Sequence, residues 1–361
     1  MRLARLGIEN LRAFSRVELS PAPHFNQLVG DNGAGKTSVL EAIHLLSTGR
    51  SFRSGARDAL IRRGESSFRV FAQVSDEAHQ RDARLGLERG AKSWAARLDG
   101  EPVTSLSQLF AQLAVLCFEP ASHQLIGGAA EHRRRFVDWA LFHVEPHFLP
   151  VWRRYQRALK QRNALLRANQ PDECEPWEME LAVSGVIITE QRRAWLSKLE
   201  PSLQATANRF LPELGEVRLQ FSPGWNERTE LRDALIVGRT RDAILGHSAT
   251  GPHRADWVLS FEHAPSRDML SRGQEKLAVL VCLLAQAERF SRETGRWPVL
   301  LFDDLASELD AQHLQRTLEW LAAIQAQVWI TGTSAAPIPA TKDSIVFHVE
   351  HGQVEQAGNP A

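Results

Sequence analysis

The chain is poor in cysteine, methionine and tyrosine, and neither sign of charge is in excess. It has 3 Cys in 361 residues, at positions 117, 174 and 282, with no spacing that suits a disulfide framework or a metal site. We expect buried free thiols in a reducing compartment. The formal net charge is zero, so binding to nucleic acid through overall charge is not indicated, and any DNA contact must come from a local basic face.

Long hydrophobic runs are also missing. No apolar stretch approaches the roughly 20 residues that a membrane-spanning helix needs, and the first residues, MRLAR, are typical of a strand and not of a signal peptide. We therefore expect no membrane association and a cytoplasmic location. With 43% hydrophobic residues, the chain can form one large domain or two coupled domains.

A glycine-rich segment at residues 30–37 is the first motif that indicates chemistry. Its sequence, GDNGAGKT, fits the pattern G-x-x-x-x-G-K-[ST], in which backbone N–H groups at a helix start surround phosphates. A strand pattern precedes it at 25–29, and a helical pattern follows at 38–46. Lys36 would reach the β- and γ-phosphates, and the Thr37 hydroxyl would bind Mg²⁺. The residues predicted to surround the triphosphate are Gly30, Asp31, Asn32, Gly33, Ala34, Gly35, Lys36, Thr37 and Ser38.

A hydrophobic strand pattern at 298–302 ends in two carboxylates that would complete this site. Asp303 can hold Mg²⁺, because hard cations prefer oxygen ligands. Asp304 would lie closer to the γ-phosphate and would orient the attacking water or accept its proton. We therefore predict Asp304 and Lys36 as the catalytic residues. Aspartate reaches less far than glutamate by one methylene, so slow hydrolysis is expected.

A third segment, LSRGQ at residues 270–274, begins a long apolar helical pattern. The Ser271 hydroxyl and the Gly273 N–H could present donors to an anion, together with the positive end of the helix dipole. Taken alone, the segment is explained equally well as an ordinary helix cap.

The order of these motifs resembles that of the ATPase heads of the ABC and SMC class, whose signature is normally LSGGQ. Within that class, the sequence is similar to the bacterial RecF family of DNA replication and repair proteins. The matching segments lie at residues 6–12, 49–53, 118–120, 133–138, 251–254 and 307–310.

This resemblance implies an α/β fold of the ABC-type ATPase head. Lobe I, predicted at 1–124 and 276–361, would hold the phosphate loop and the Asp-Asp strand in a mixed sheet. Lobe II, predicted at 125–275, would be mostly helical, would carry LSRGQ at its end and would have no long coiled coil.

The resemblance also implies an ATP-dependent, head-to-tail homodimer with Mg²⁺ as cofactor. Ser271, Gly273 and Gln274 would contact the γ-phosphate bound by the other subunit, and Asp310 would lie near the nucleotide. The implied function is a weak, DNA-stimulated ATPase that binds duplex DNA near single-strand gaps and is associated with the nucleoid. The implied partners are RecR with RecO and, indirectly, the recombinase RecA.

A basic stretch at residues 131–167 is the candidate DNA surface. The predicted contacts are Arg133, Arg134, Arg153, Arg154 and Arg157. Because 37 of the 43 basic residues are arginine, clusters of arginine are expected in part from the composition alone.

Two further assignments and two alternatives stay open at this point. Thr331 occupies the place of a γ-phosphate-sensing histidine in other ABC ATPases, and Gln124 is a weak candidate for the glutamine of their Q-loop. The chain could also be a nucleotide-switched scaffold with negligible turnover. A further alternative is an SMC-like ATPase that regulates an associated nuclease, which would need an acidic metal cluster beyond Asp303 and Asp304, and none is evident.

Overall fold

A computed structural model describes residues 1–53, 60–76, 80–90, 93–338 and 343–356. The chain folds as two compact units. Unit 1 comprises Met1–Ser122 and the chain from Phe290 onward, and unit 2 comprises His123–Arg289. The helix that starts at the signature segment runs without a break from Arg272 to Thr294 and includes the boundary between the units at Phe290. Within unit 2, Gln286 of this helix donates to the carbonyl of Phe136.

Unit 1 contains two six-stranded sheets with helices packed on them. Its strands are β1 (Arg2–Leu11), β2 (Phe14–Leu19), β3 (Phe25–Val29), β4 (Ser67–Asp76), β5 (Arg81–Gly90), β6 (Trp94–Leu98), β7 (Glu101–Pro102), β8 (Val115–Phe118), β11 (Val299–Phe302), β12 (Val328–Gly332), β13 (Ser344–Glu350) and β14 (Gln353–Gln356). Its helices are α1 (Lys36–Thr48), α2 (Leu106–Phe110), α10 (Leu305–Glu308) and α11 (Ala311–Ala322).

The mixed sheet has the strand order β14-β13-β3-β12-β11-β8, with only the edge strand β14 antiparallel to its neighbour. Every residue of β11 and of β12 is buried, as expected for parallel strands that are covered on both faces. The first and last parts of the chain therefore share one sheet, as the sequence predicts. Because the strands are parallel, the carboxyl ends of β3, β11 and β12 lie at the same edge.

The second sheet of unit 1 is antiparallel, with the order β2-β1-β4-β5-β6-β7. In β4, Phe68, Val70 and Ala72 are buried, whereas the residues between them are exposed, so the sheet has one core face and one solvent face. Helix α1 contacts strands of both sheets, and its Val39 and Ile43 are fully buried. The helix after the phosphate loop is thus fixed by the main core of unit 1.

Unit 2 is mostly helical, with one two-stranded antiparallel sheet. Its elements are α3 (Gln124–Gly127), α4 (Ala130–Val144), α5 (Phe148–Arg167), α6 (Glu175–Phe210), β9 (Val217–Ser222), α7 (Leu231–Val237), α8 (Arg239–Leu245), β10 (Asp256–Phe261) and α9 (Arg272–Thr294), the last of which continues into unit 1. None of the helices in the described residues combines the length and the apolar character that a bilayer span requires.

Proline is typical of the first turn of a helix, but Pro201 lies inside α6, which is 36 residues long. An internal proline removes one helix hydrogen bond. Leu199 and Leu203 on either side of it are fully buried, so tertiary packing outweighs this local cost.

A buried ion network joins three helices of unit 2. Arg162 of α5 is fully buried and donates to Glu178 of α6 and to Asp242 of α8, at 3.1 and 2.7 Å. Its remaining donors reach the Ser248 hydroxyl and the Leu235 carbonyl. A buried guanidinium is tolerated only when its charge and its donors are satisfied in this way. Some arginines of the basic stretch therefore belong to the core.

Candidate nucleotide site

The phosphate loop connects β3 to α1 at the carboxyl edge of the mixed sheet. The backbone N–H of Gly30 donates to the carbonyl of Gly332 at the end of the neighbouring β12, at 3.3 Å. A Cβ atom at Gly30 would lie 2.1 Å from the carbonyl oxygen of Val349, so only glycine fits there. Gly35 has a φ of 120°, which other residues rarely adopt. These positions aim the loop at the start of α1, where backbone N–H groups lack helical partners.

Lys36 lies over this loop and is 8% exposed. Its Nζ donates to the carbonyl oxygens of Gly30 and Asp31, at 2.6 and 2.9 Å. Both acceptors are neutral, and Lys36 forms no ion pair with the residues that the structure describes. Its positive charge is therefore held at the loop without a compensating carboxylate, as a phosphate-binding lysine requires.

Asp303, at the end of β11, meets the phosphate loop although it lies 266 positions from Thr37. The hydroxyls of Thr37 and Thr331 both donate to its Oδ1 atom, at 2.9 and 2.8 Å. Burial raises the pKa of Asp303, and the two hydroxyl hydrogen bonds oppose that rise. The Thr37 hydroxyl and the Asp303 carboxylate are hard oxygen donors in contact with each other, so this pair fits Mg²⁺.

Asp304 adopts the left-handed conformation, with φ 56° and ψ 42°, immediately before α10. For a residue other than glycine this conformation costs roughly 1 kcal/mol or more. Its backbone N–H donates to the Thr331 hydroxyl at 2.8 Å. Thr331 therefore holds both acidic residues in place, which the sequence could not indicate beyond suggesting a sensor role for this threonine.

Glu41 of α1 is a structural partner that sequence reasoning missed. It is fully buried and accepts two hydrogen bonds from Arg12, at 2.9 and 2.8 Å, and one from the Ser51 hydroxyl. The hydrogen bond to Glu41 raises the pKa of Arg12. Glu41 thereby ties two of the matching segments, 6–12 and 49–53, to the helix of the phosphate loop. The sequence feature that could have identified Glu41 is an acidic residue within an apolar helical pattern.

The signature segment forms a capping box at the start of α9. The Ser271 Oγ accepts from the backbone N–H of Gln274 at 3.2 Å, and the Gln274 Oε1 accepts from the backbone N–H of Ser271 at 3.1 Å. Gln274 also donates to Glu213 at 3.2 Å. Ser271 and Gly273 are exposed, and a Cβ atom at Gly273 would meet only Ser271 Oγ, at 4.0 Å. The cap therefore leaves this helix end open to an incoming group.

Two further candidates have clear local settings. Asp310 caps α11, because its carboxylate accepts from the backbone N–H of His313 at 3.0 Å and contacts the His313 ring at 2.6 Å. The backbone hydrogen bond lowers the pKa of Asp310. Gln124 is the first residue of α3 in unit 2 and is half-buried.

Two arginines of the candidate DNA surface are engaged inside unit 2. Arg133 pairs with both carboxylate oxygens of Asp256, at 2.7 and 2.9 Å, and donates to three carbonyl groups; its side chain is 13% exposed. Arg134 donates to the carbonyl of Ala255 at 2.8 Å. Both guanidinium groups anchor α4 beside β10, and Arg133 has few donors left for DNA phosphates.

The other three arginines lie on the outside of α5. Arg154 forms a two-point ion pair with Glu180, at 2.9 and 3.0 Å. Arg153 and Arg157 are exposed and lie one helical turn apart.

The nuclease alternative required a separate acidic metal cluster. In the described part of the chain, no group of three or more His, Cys, Asp or Glu side chains is arranged to hold a metal ion.

Comparison with known proteins extends these observations over nearly the whole chain. A family model described as the RecF/RecN/SMC N terminal domain matches residues 2–354. The DNA replication and repair protein RecF of Xanthomonas euvesicatoria pv. vesicatoria (strain 85-10) is 51% identical over 361 residues, which cover 98% of each chain. RecF of Stenotrophomonas maltophilia (strain R551-3) is 48% identical over 365 residues, covering 98% of this chain and 99% of that protein.

Solved structures give the same result. A structure of the recombination mediator protein RecF-ATP in the RecFOR pathway matches with a TM-score of 0.89 and 25% identity, covering 99% of this chain and 97% of that one. An SMC head bound to the C-winged helix domain of ScpA matches with a TM-score of 0.62 and 12% identity, covering 99% and 97%, and shares the fold. The predicted ABC-type ATPase head is thereby confirmed as the fold class. The chain belongs to the RecF family, within the larger group of RecF, RecN and SMC proteins.

Proposed function

We propose that the chain is an ATP-binding head that hydrolyses ATP slowly. ATP brings two copies of this head together as a head-to-tail homodimer on DNA during replication and repair. The observation that carries this proposal is the meeting of Lys36, Thr37, Asp303 and Asp304 at one edge of a parallel sheet. Support also comes from the solved RecF-ATP structure with the same fold.

Each residue of the site has a distinct task in this proposal. The backbone N–H groups of the loop receive the phosphates, and Lys36 exchanges its two neutral carbonyl acceptors for charged phosphate oxygens, which form stronger hydrogen bonds. Thr37 and Asp303 would hold Mg²⁺, which neutralises phosphate charge when bound. Asp304, fixed through Thr331, would orient the attacking water.

The dimer would be completed by the exposed start of α9 in unit 2. Ser271 and Gly273 offer a hydroxyl, an N–H and the positive end of a helix of 23 residues. In the proposed dimer, this end contacts the γ-phosphate held by the second copy. ATP then stabilises the dimer because it binds the closed state more tightly than the monomer, and hydrolysis removes that difference.

Light-scattering mass measured with ATP, and with ADP as the control, tests this proposal. We expect ATP, but not ADP, to double the mass of the wild type. Lys36→Met should stay monomeric, because its loop has lost the phosphate-binding charge. Lys198→Met, a change at an exposed lysine of α6, should dimerise normally. A wild type that remains monomeric with ATP would contradict the trans site and favour the scaffold alternative.

The proposed DNA surface is the outer side of α5, where Arg153, Arg157 and Lys160 are exposed at helical spacing. The family resemblance supports duplex DNA near a single-strand gap as the substrate, with RecR and RecO as partners in loading RecA. Arg157→Ala should lower the slope of log affinity for duplex DNA against log salt by about 1. Arg193→Ala, at an arginine paired with Glu227, should leave the slope unchanged. Equal slopes in the two variants would remove α5 from the DNA surface.

A further inference from the structure

The solvent face of the antiparallel sheet carries an exposed aromatic ring between two glycines. Strand register places Gly7, Phe71, Gly86 and Arg97 in one row across four neighbouring strands. Phe71 is 36% exposed. A Cβ atom at Gly7 would lie 1.8 Å from the Cε1 atom of the Phe71 ring, so the ring lies over the backbone of Gly7. Because Gly7 has no side chain, the Phe71 ring can pack directly against the backbone of the neighbouring strand.

Three arginines, Arg5, Arg84 and Arg97, line the depression that contains this ring. The Arg5 guanidinium carbon lies 5.5 Å from the ring centroid, and strand register places Gln73 between Arg5 and Arg84 in the next row. A shallow depression of about 250 Å³ is lined by Phe71, Arg84, Arg97 and the sheet around them. The surface therefore offers one flat aromatic group with positive charge at its margins.

Two of the three arginines that line this depression differ from the arginine in the neighbouring row of the same face. Arg69, in the row on the other side, contacts Glu88 at 3.0 Å and Glu9 at 3.8 Å. Arg84 and Arg97, by contrast, form no ion pair with any residue in the described ranges, and Arg97 donates to the carbonyl of Gly100 at 2.9 Å. Arg5, which also lines the depression, contacts Glu18 at 2.5 Å. Positive charge is thus neutralised at Arg69 and Arg5 and left available at Arg84 and Arg97.

We propose that Phe71, Arg84 and Arg97 form a platform for single-stranded nucleic acid. An unpaired base stacks on the Phe71 ring, and Arg84 and Arg97 contact the flanking phosphates. A duplex cannot use this surface, because its base faces are stacked on each other. A flat ring beside unpaired guanidinium groups suits a base and its phosphates better than an acidic peptide, whose apolar side chains would need a deeper pocket. The platform belongs to unit 1, whereas the duplex surface proposed on α5 belongs to unit 2.

Anisotropy of a labelled oligothymidine tests the platform, with a duplex and an abasic strand of the same length as comparisons. Phe71→Ala should weaken oligothymidine binding roughly tenfold or more, because it removes a stacked base. Arg69→Ala, at the ion-paired arginine of the same face, is the matched control and should bind normally. Arg84→Ala and Arg97→Ala should each lower the salt slope by about 0.7. ATP-dependent dimers and duplex binding should be unchanged in all four variants.

Gly7→Ala tests the geometry without changing the charge. The added methyl group must lift the Phe71 ring, so this variant should lose affinity as Phe71→Ala does, whereas the double variant should lose no more than Phe71→Ala alone. The platform is refuted if Phe71→Ala and Arg69→Ala bind oligothymidine equally, or if the abasic strand binds as tightly as oligothymidine. It is also refuted if a polyglutamate peptide, but no oligonucleotide, loses affinity with Phe71→Ala. Because duplex binding is measured in parallel, failure of the platform is distinguishable from failure of the α5 surface.

Discussion

Ser271 has one role in the fold of the monomer and a second role in the proposed dimer, and two substitutions separate them. Its Oγ caps α9 by accepting from Gln274. Aspartate caps helices as well as serine does, so Ser271→Asp should keep the stability of the monomer. Ser271→Ala removes the acceptor and should cost about 1 kcal/mol of stability.

The same two substitutions should act in the opposite order on the dimer. An alanine at this position removes one hydrogen bond to a charged phosphate, which is worth about 1.5–3 kcal/mol. An aspartate places a negative charge against the γ-phosphate. At about 4 Å and an effective dielectric constant of 20, the repulsion is about 4 kcal/mol. Ser271→Asp should therefore be as stable as the wild type and fail to dimerise, whereas Ser271→Ala should be less stable and dimerise weakly.

Thermal unfolding without nucleotide and light-scattering mass with ATP measure the two effects separately. Ser266→Asp introduces the same charge at an exposed serine five positions earlier and should dimerise like the wild type. If Ser271→Asp forms ATP-dependent dimers as readily as Ser266→Asp, the start of α9 does not face a phosphate in the dimer, and the capping box is its only function.

Three further predictions concern the acidic pair and a half-buried histidine. Asp304→Asn should retain ATP binding, because asparagine tolerates the left-handed conformation and keeps the site in place. Phosphate release should be slower, because the carboxylate is lost; parallel loss of binding and release would contradict a role in hydrolysis. Asp303→Asn should weaken Mg²⁺-dependent ATP binding without lowering the melting temperature of the nucleotide-free protein, because the buried charge is removed; a lower melting temperature would contradict this. Burial lowers the pKa of His253 to about 4, below about 6.5 in the unfolded chain. The contribution of the neutral His253 ring to the free energy of unfolding is therefore fully present above pH 6.5 and is lost as the pH falls to 4. It amounts to about 3 kcal/mol, and denaturant unfolding of His253→Phe should show a flatter pH profile, whereas an unchanged profile would refute the assignment.

The meeting of the phosphate loop and the acidic strand end at one edge was predictable, because both have local signatures and parallel strands bring their ends to one edge. The glycines and Lys36 define a loop, and the carboxylates after β11 define a strand end. Thr331 could not be assigned its bridging role, because only the adjacency of β11 and β12 brings its hydroxyl to Asp303.

Partners that are distant in sequence limited the prediction elsewhere. Arg133 has the same local signature as an exposed DNA-binding arginine, and its pairing with Asp256, 123 positions away, depends on how α4 packs beside β10. The antiparallel sheet likewise depends on pairing between β1 and β4, whose register the sequence does not state.

The position of β3 in the mixed sheet sets when the site can form during synthesis. In the described part of the chain, both neighbours of β3 come from the last tenth of the sequence, namely β12 and β13. During synthesis, folding generally proceeds from the N-terminus, and the phosphate loop is translated early. The strand that carries the loop, however, has no neighbouring strands to pair with in the mixed sheet until β12 and β13 leave the ribosome. A prematurely terminated chain would contain the whole loop motif and lack the nucleotide site, so truncated products would not compete with complete subunits for ATP.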